Sequence, residues 1–359
     1  MFTFSKKLAL GLDLSDFSLK LIRLGKKRGL TLDNFVEADL PFGLVQGGEI
    51  KKEKELVNIL KGRLKRTVGQ SLQSKRVVCN LPEEKVFIRV IQLPLMKKSE
   101  LGQAVNWEAE AHIPLSLDEV YLDWQIVKEP TREDNHYSVL IAAVPRLLVD
   151  SYSRFLKRSG FRPVALEPES VAVVRSLIKA GDLKPTILVD LGASGTNFVI
   201  YAASTIRFTS HINISGQLFN QAIMKKLDVD QKKAEQLKIK VGLDKTKEKG
   251  KVYEALVPLV EELAGQIKDY IVFYQKRAAH LSGSAGLIER LLLCGGDSLL
   301  INLPLFLSQR LGLKVEIGNP LINLPKPVEK HSPVLAALPK KELLTYTTAL
   351  GLAMRNLEG

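Results

Sequence analysis

The amino-acid sequence predicts an α/β protein made of two related halves, with a small extra module set into the first. Three observations carry that prediction. An apolar strand ending in aspartate, a short turn of hydroxyl or glycine residues, and a second strand occur twice, around Asp13 and around Asp190. Segments with helical spacing of apolar residues, such as Lys54 to Arg66 and much of Gly216 to Arg290, follow those strand pairs. Between Val86 and Ser159 the pattern changes to a self-contained run of strand, helix, strand, strand and helix.

The elements follow in order. LALGLDLSDFSLKLIRL alternates apolar and polar residues around Ser15 to Ser18 and predicts a β-hairpin, with a further strand over Leu30 to Leu40. Leu56, Ile59, Leu60 and Leu64 set the apolar face of a helix, and Arg76 to Leu81 reads as a strand. In the inserted module Val86, Ile88 and Val90 mark a strand, and Ser99 is the expected N-cap of a helix ended by Pro114. Strands at Val120 to Val127 and Tyr137 to Val144 follow, and Pro145 opens a helix that Gly160 terminates. Thr186 starts the second half. Its helical region contains a lysine-rich loop, Gly242 to Gly250. Leu291 to Leu293 then form a short buried strand that leads into CGGDS. A helix, a strand at Lys314 to Ile317 and an apolar-faced helix at Tyr346 to Asn356 complete the plan.

Composition narrows the function classes. Hydrophobic residues make up 45% and charged residues 25% of the 359, the balance of an ordinary globular protein. No apolar run approaches the roughly 18 to 20 residues of a membrane span. Asp13 interrupts the apolar stretch after Lys6 and Lys7, so the N-terminus reads as a first strand and not a signal peptide. Cys79 and Cys294 stand in dissimilar contexts and suggest neither a metal site nor a disulfide framework, which fits a reducing cytoplasm. The net charge is +13, with basic residues concentrated at Lys51 to Arg66 and Lys232 to Lys251. Such surfaces attract anionic lipid, nucleic acid or an acidic partner, or are simply solvated helix faces. No aromatic residues interleave with these clusters, so nucleic acid is not expected.

Chemistry concentrates in three turns that each follow an apolar strand: Leu12 to Lys20, Val189 to Asn197 and Leu293 to Ser298. A tight turn presents backbone N–H groups to phosphate oxygens, and glycine allows close approach. Asp13 and Asp190 are the candidate Mg²⁺ carboxylates, directly or through water, because that ion prefers oxygen ligands and retains hydration. Lys20 would add positive charge beside the first turn. No GxxxxGK[ST] and no Rossmann fingerprint occurs, and His112, beside Pro114, reads as structural.

Two Asp-ending hairpins and a late Gly-Gly turn resemble the two phosphate elements and the adenosine element of the actin, hexokinase and Hsp70 superfamily. Within it the sequence resembles the PilM family of type IV pilus assembly proteins. Ala104 to Val127 (AVNWEAEAHIPLSLDEVYLDWQIV) carries the likeness most specifically, and Arg162 to Leu177, Ala255 to Gln275 and Leu291 to Leu321 continue it. The resemblance implies an actin-like (ribonuclease H-like) two-lobed fold with an FtsA-type 1C subdomain. The implied division is 1A at 1–84 with 160–185 and 336–359, 1C at 85–159, 2A at 186–215 with 286–335, and 2B at 216–285. It also implies ATP and Mg²⁺ as ligands, and the N-terminal cytoplasmic peptide of PilN as a partner in the 1A/1C groove. Contacts with pilus motor components and peripheral recruitment to the inner face of the cytoplasmic membrane complete the expectation.

Position by position, the resemblance assigns Asp13, Ser15, Ser18 and Lys20 to the first phosphate loop, and Asp190, Gly192, Ser194, Gly195 and Thr196 to the second. Gly295, Gly296 and Asp297 fall at the adenosine, Glu235 and Lys238 at the ribose or base, and Gly216 beside them. Glu167 and Glu169, in the connecting segment LEPESV, are the candidate carboxylates for positioning water. The first loop departs from the family pattern: Ser15 stands where glycine is usual, and its Cβ disfavours positive φ. ATP binding with slow or absent hydrolysis is therefore expected. The alternatives are an FtsA-like cell-division protein, which would carry an amphipathic helix beyond its core, and a nucleotide-free scaffold of the secretion machinery.

Overall fold

The computed structural model describes residues 8–25, 31–66, 74–131, 135–278, 286–324 and 342–357. The Lys6–Lys7 segment, Leu30 and the expected 335/336 boundary lie outside them. The chain divides into two compact units, residues 1–180 with 319–359, and residues 181–318.

In the first unit β1 (Leu10–Leu14) and β2 (Ser18–Gly25) form the expected hairpin, extended by β3 (Thr31–Asp39). A small hairpin of β4 (Val45–Gln46) and β5 (Glu49–Ile50) leads into α1 (Glu53–Arg66). Strand β6 (Arg76–Leu81) returns parallel to β1. The module follows: β7 (Phe87–Pro94), α2 (Leu101–His112), β8 (Val120–Lys128) and β9 (His136–Pro145). Helix α3 (Arg146–Arg158), β10 (Arg162–Pro168) and α4 (Glu169–Leu177) complete the continuous part.

The main sheet has the order β10-β6-β1-β2-β3. On one side, Leu56, Val57 and Leu60 of α1 and Leu148, Tyr152, Phe155 and Leu156 of α3 pack on Leu12, Leu19, Leu21 and Cys79. The second helix of the inserted run thus buries its apolar face in the main core, not in the module. On the other side lies the last helix, whose eight residues Thr347–Met354 are all buried, so it is enclosed all round and not on one face only. Gly11 permits this packing, because a Cβ there would stand 2.1 Å from the carbonyl oxygen of Ala349. The module is a three-stranded antiparallel sheet, order β7-β9-β8, covered by Leu101, Val105 and Ala109 of α2. Its helix is capped differently from the expectation: Glu100, not Ser99, occupies the N-cap, and no side chain closes it.

The second unit repeats the first sheet. Strands β11 (Thr186–Leu191), β12 (Thr196–Ala202) and β13 (Thr205–Ile212) form the antiparallel meander. After α5 (Gly216–Leu227), α6 (Gln231–Lys240) and α7 (Lys251–Ala278), strand β14 (Arg290–Cys294) runs parallel to β11. Helix α8 (Leu303–Leu311) and β15 (Lys314–Ile317) follow. The order β13-β12-β11-β14-β15 is the order β3-β2-β1-β6-β10 of the first unit, strand for strand. The repeated Asp-ending hairpin is thus the visible part of a duplicated sheet. Helices α5 to α8 bury their apolar faces against Val189, Leu191, Phe198 and Leu293.

Candidate functional site

Each unit holds a turn at the tip of its first hairpin, closed by the same backbone hydrogen bond and reinforced by different means. In the first, the Ser15 amide donates to the Ser18 carbonyl at 2.9 Å, and the Ser18 amide donates to Ser15 Oγ at 3.2 Å. The two hydroxyls lie 3.1 Å apart. Ser15 is not among the described residues with positive φ, so the strain expected of a serine there does not arise. Its hydroxyl instead takes up the Ser18 N–H. Asp16, which the sequence reading passed over, accepts from the amides of Gly47 at 2.8 Å and Gly48 at 3.0 Å and pins the turn to the small hairpin.

Asp13, Lys20 and Glu37 are direct partners across β1, β2 and β3 and so share one face of the sheet. The Lys20 ammonium lies 5.7 Å from the centroid of the Tyr346 ring, whose hydroxyl donates to Glu37 at 2.7 Å. Burial pushes the Tyr346 phenol well above its usual range, reinforced by that hydrogen bond and the Glu37 charge.

Behind the turn sits Asn80, fully buried and also missed in the sequence. Its Oδ1 accepts from the Leu14 amide at 2.8 Å, while its Nδ2 donates to the Leu14 carbonyl at 3.1 Å and to Glu169 Oε1 at 2.8 Å. In the connecting segment LEPESV, Glu167 is near the end of β10 and Glu169 opens α4. Glu167 is buried in a bidentate pair with Arg175, at 2.5 and 3.2 Å, and is also held by Arg355. Only Glu169 of the two reaches the Asn80–Leu14 network that supports the turn.

In the second unit the turn is closed by backbone alone. The Gly192 amide donates to the Gly195 carbonyl at 2.9 Å, and the first amide of α5, from Gly216, donates to the Gly192 carbonyl at 3.0 Å. Asp190, Asn197 and His211 are partners across three strands, with His211 Nδ1 2.7 Å from Asn197 Oδ1. The His211 ring lies where a Cβ on Gly195 would stand. Thr196 spends its hydroxyl on the Ile214 carbonyl at 2.6 Å and is buried, whereas Ser194 and Gly296 are exposed.

The late glycine turn packs directly on this hairpin. Gly295 has φ +81°, and a Cβ there would come within 2.4 Å of both Asp190 Oδ1 and the Leu191 carbonyl. Asp297 is seated against Gly216, where a Cβ would lie 2.0 Å from its Oδ2. Lys238 Nζ is 2.6 Å from Asp297 Oδ1 and 2.9 Å from Glu235 Oε2, which also accepts from Asn220 Nδ2 at 2.6 Å. Burial raises the Asp297 carboxyl above its usual range; Lys238 opposes that shift and Glu235 adds to it. The structure thus brings together Asp190, Gly192, Gly216, Glu235, Lys238, Gly295 and Asp297, residues drawn from three distant stretches of the chain.

The two cysteines belong to this frame. Cys79 on β6 and Cys294 on β14 are both buried beside the hairpin aspartates. Burial first, and then Asp13 and Glu169 for one and Asp190 for the other, push their thiols up and keep them neutral. Among the described residues no three His, Cys, Asp or Glu side chains gather as metal ligands, and no helix is long and apolar enough to cross a membrane.

Comparisons with known proteins agree over nearly the whole chain. Residues 11–357 match the family model of the type IV pilus assembly protein PilM. A solved PilM-PilN type IV pilus biogenesis complex contains a chain 26% identical, with TM-score 0.80, covering 99% of this chain and 100% of that one. The ethanolamine utilization protein EutJ of Carboxydothermus hydrogenoformans is similar at TM-score 0.56, 14% identity and coverages of 98% and 91%. MreB5 of Spiroplasma citri, solved with AMPPNP, is similar at TM-score 0.57, 13% identity and coverages of 97% and 95%. The last two likenesses concern the fold, which is that of the actin-like proteins; the first and the family model go further, and the chain belongs to the PilM family of type IV pilus assembly proteins.

Proposed function

We propose that this chain is a nucleotide-dependent scaffold of the type IV pilus inner-membrane complex, binding ATP with Mg²⁺ and the cytoplasmic N-terminal peptide of a PilN protein. The observation that carries the reading is the full-length likeness, at TM-score 0.80, to a protein solved with PilN. Recruitment to the inner face of the cytoplasmic membrane follows from that partner. The division into 1A, 1C, 2A and 2B is part of the same proposal.

The geometry of the second unit supports the nucleotide. Gly295 lets the late turn pack directly on Asp190 and the Leu191 carbonyl, and the amide end of α5 abuts the same hairpin turn. In this reading Asp190, Gly192, Ser194 and Gly195 meet phosphate oxygens. Gly216, Glu235, Lys238, Gly295, Gly296 and Asp297 surround the nucleoside. Asp13, Ser15, Ser18 and Lys20 supply the first-loop contacts, and the two aspartates hold Mg²⁺ through water. Thr196 supports its turn from behind. Glu169, fixed by Asn80, is the carboxylate to position water, and Glu167 is structural. With Ser18 N–H taken by Ser15, the first loop offers one donor fewer, which supports slow or absent hydrolysis.

Calorimetry with Mg·ATP on the wild type and on Asp190→Ala tests the nucleotide half. Micromolar binding that the substitution abolishes is expected. Fluorescence polarisation with a labelled PilN N-terminal peptide tests the other half, and loss of peptide binding with ATP binding intact would sink the scaffold reading alone. A nucleotide-free scaffold is the second reading, favoured by the self-closed Ser15–Ser18 turn. Peptide binding with no heat from Mg·ATP would establish it.

A further inference from the structure

We propose that the paired face of α1 and α3 is a docking surface for an anionic membrane. This inference rests on charge and exposure within the first unit and on neither nucleotide nor peptide binding. The two helices carry nine basic residues against three acidic ones. All three acids are already engaged, Glu55 with Lys52 at 3.8 Å. Glu53 accepts from Arg154 Nε at 2.8 Å and Arg158 Nη1 at 3.0 Å, which also ties α1 to α3, and Asp150 accepts from the Tyr121 hydroxyl at 3.2 Å.

The remaining charge is ordered. On α1, Lys54, Lys61 and Lys65 stand at i, i+7 and i+11 and are all exposed, while Leu56 and Leu60 face the core. None of the three lysines enters an ion pair among the described residues. On α3 the same spacing gives Leu147, Arg154 and Arg158, and Leu147 is 87% exposed. A bare leucine at the head of a basic stripe suits the boundary between phosphate headgroups and acyl chains, where ammonium and guanidinium groups meet the phosphates and the leucine leaves water. Nucleic acid fits the face less well. The aromatic residues of the helix pair, Tyr152 and Phe155, are both fully buried, so nothing is offered for base stacking.

The test is sedimentation of the full chain with vesicles of phosphatidylcholine alone or mixed with phosphatidylglycerol, at low salt. Binding to the anionic vesicles only, released by high salt, is expected. The variant Lys54→Gln/Lys61→Gln/Lys65→Gln should bind about a hundredfold more weakly, at roughly fivefold per lost charge. Leu147→Asn should cost about tenfold. All four positions are exposed, so melting temperature and Mg·ATP binding should not change, which separates this result from misfolding and from failure of the nucleotide reading. Three outcomes overturn the proposal: no sedimentation with anionic vesicles, equal binding to neutral ones, or a triple variant that binds like wild type. Tighter binding to single-stranded RNA than to anionic vesicles, lost in the triple variant, would reassign the face to nucleic acid.

Discussion

Replacing Lys238 by Met removes the cation that pairs with buried Asp297 and half-exposed Glu235, and its consequence depends on pH. The Lys238 and Asp297 side chains are only 6% and 10% exposed and lie 2.6 Å apart. Losing one partner of such a pair costs about 3–5 kcal/mol, because the other charge is left uncompensated. Asp297 already has its carboxyl raised by burial, and the Glu235 charge acts in the same direction. Without the ammonium the folded-state value rises further above the unfolded one. A group raised in the folded state contributes stability that is present at low pH and lost as pH climbs through the folded value. The variant should therefore fall short of wild type by the full amount near pH 8 and by much less near pH 5. At roughly 3 °C per kcal/mol for a unit of this size, the melting temperature should drop by about 10 °C near pH 8. Urea unfolding at the two pH values reads the same quantity without heating. The double variant Lys238→Met/Asp297→Asn removes the buried charge and should recover most of the loss at the higher pH. An equal deficit at both pH values, or a double variant no more stable than the single, would refute the reasoning.

Gly295→Ala should prevent the second unit from folding stably, since its Cβ would meet backbone and carboxylate at 2.4 Å and its φ of +81° is already strained for alanine; circular dichroism checks it. Asn80→Ala should cost about 2–4 kcal/mol, because two buried hydrogen bonds and a part-buried one lose their partner at once. Denaturant midpoints measure that loss. Glu167→Gln should destabilise the first unit by about 3 kcal/mol through the two arginines it leaves behind, yet keep Mg·ATP affinity. Affinity lost without stability would return Glu167 to the ligand.

Much of the architecture was legible because its signals are local. Strand alternation around Asp13 and Asp190, the helical face of α1, and the strand-to-turn passage at Cys294 each need only a short window. The cap of α2 differs because a good capping residue, Ser99, lies one position ahead of the actual N-cap, Glu100, after which the helix starts at Leu101. Glu167 and Glu169 were read together because they are neighbours in sequence. A strand end followed by a helix start sends adjacent side chains to different partners, and periodicity alone does not report that. Asn80, Asp16, Asn197 and His211 were invisible for a stronger reason. Each acts through a partner many residues away, such as Leu14 for Asn80 and Gly47 for Asp16, and nothing in its own neighbourhood marks it. Likewise Cys79 and Cys294 look unrelated in sequence, and only the matching strand order shows both beside a hairpin aspartate.

The duplication makes the differences between the halves informative. With the same strand order in both sheets, departures between corresponding positions are not demanded by the fold. The row Asp13–Lys20–Glu37 carries a cation between two acids, whereas Asp190–Asn197–His211 has an amide at its centre. Both turns share one backbone hydrogen bond; the first adds side-chain hydroxyls to it, and the second adds the end of a helix. A turn that satisfies its own donors is rigid but has less to give a ligand. A turn closed by backbone keeps its outward amides for one. Of the two turns, the second therefore keeps more backbone donors for an anion. Under the function proposed above, a first turn with its own donors spent favours a scaffold over an enzyme, since transfer chemistry needs donors aimed from every side of the transferred group.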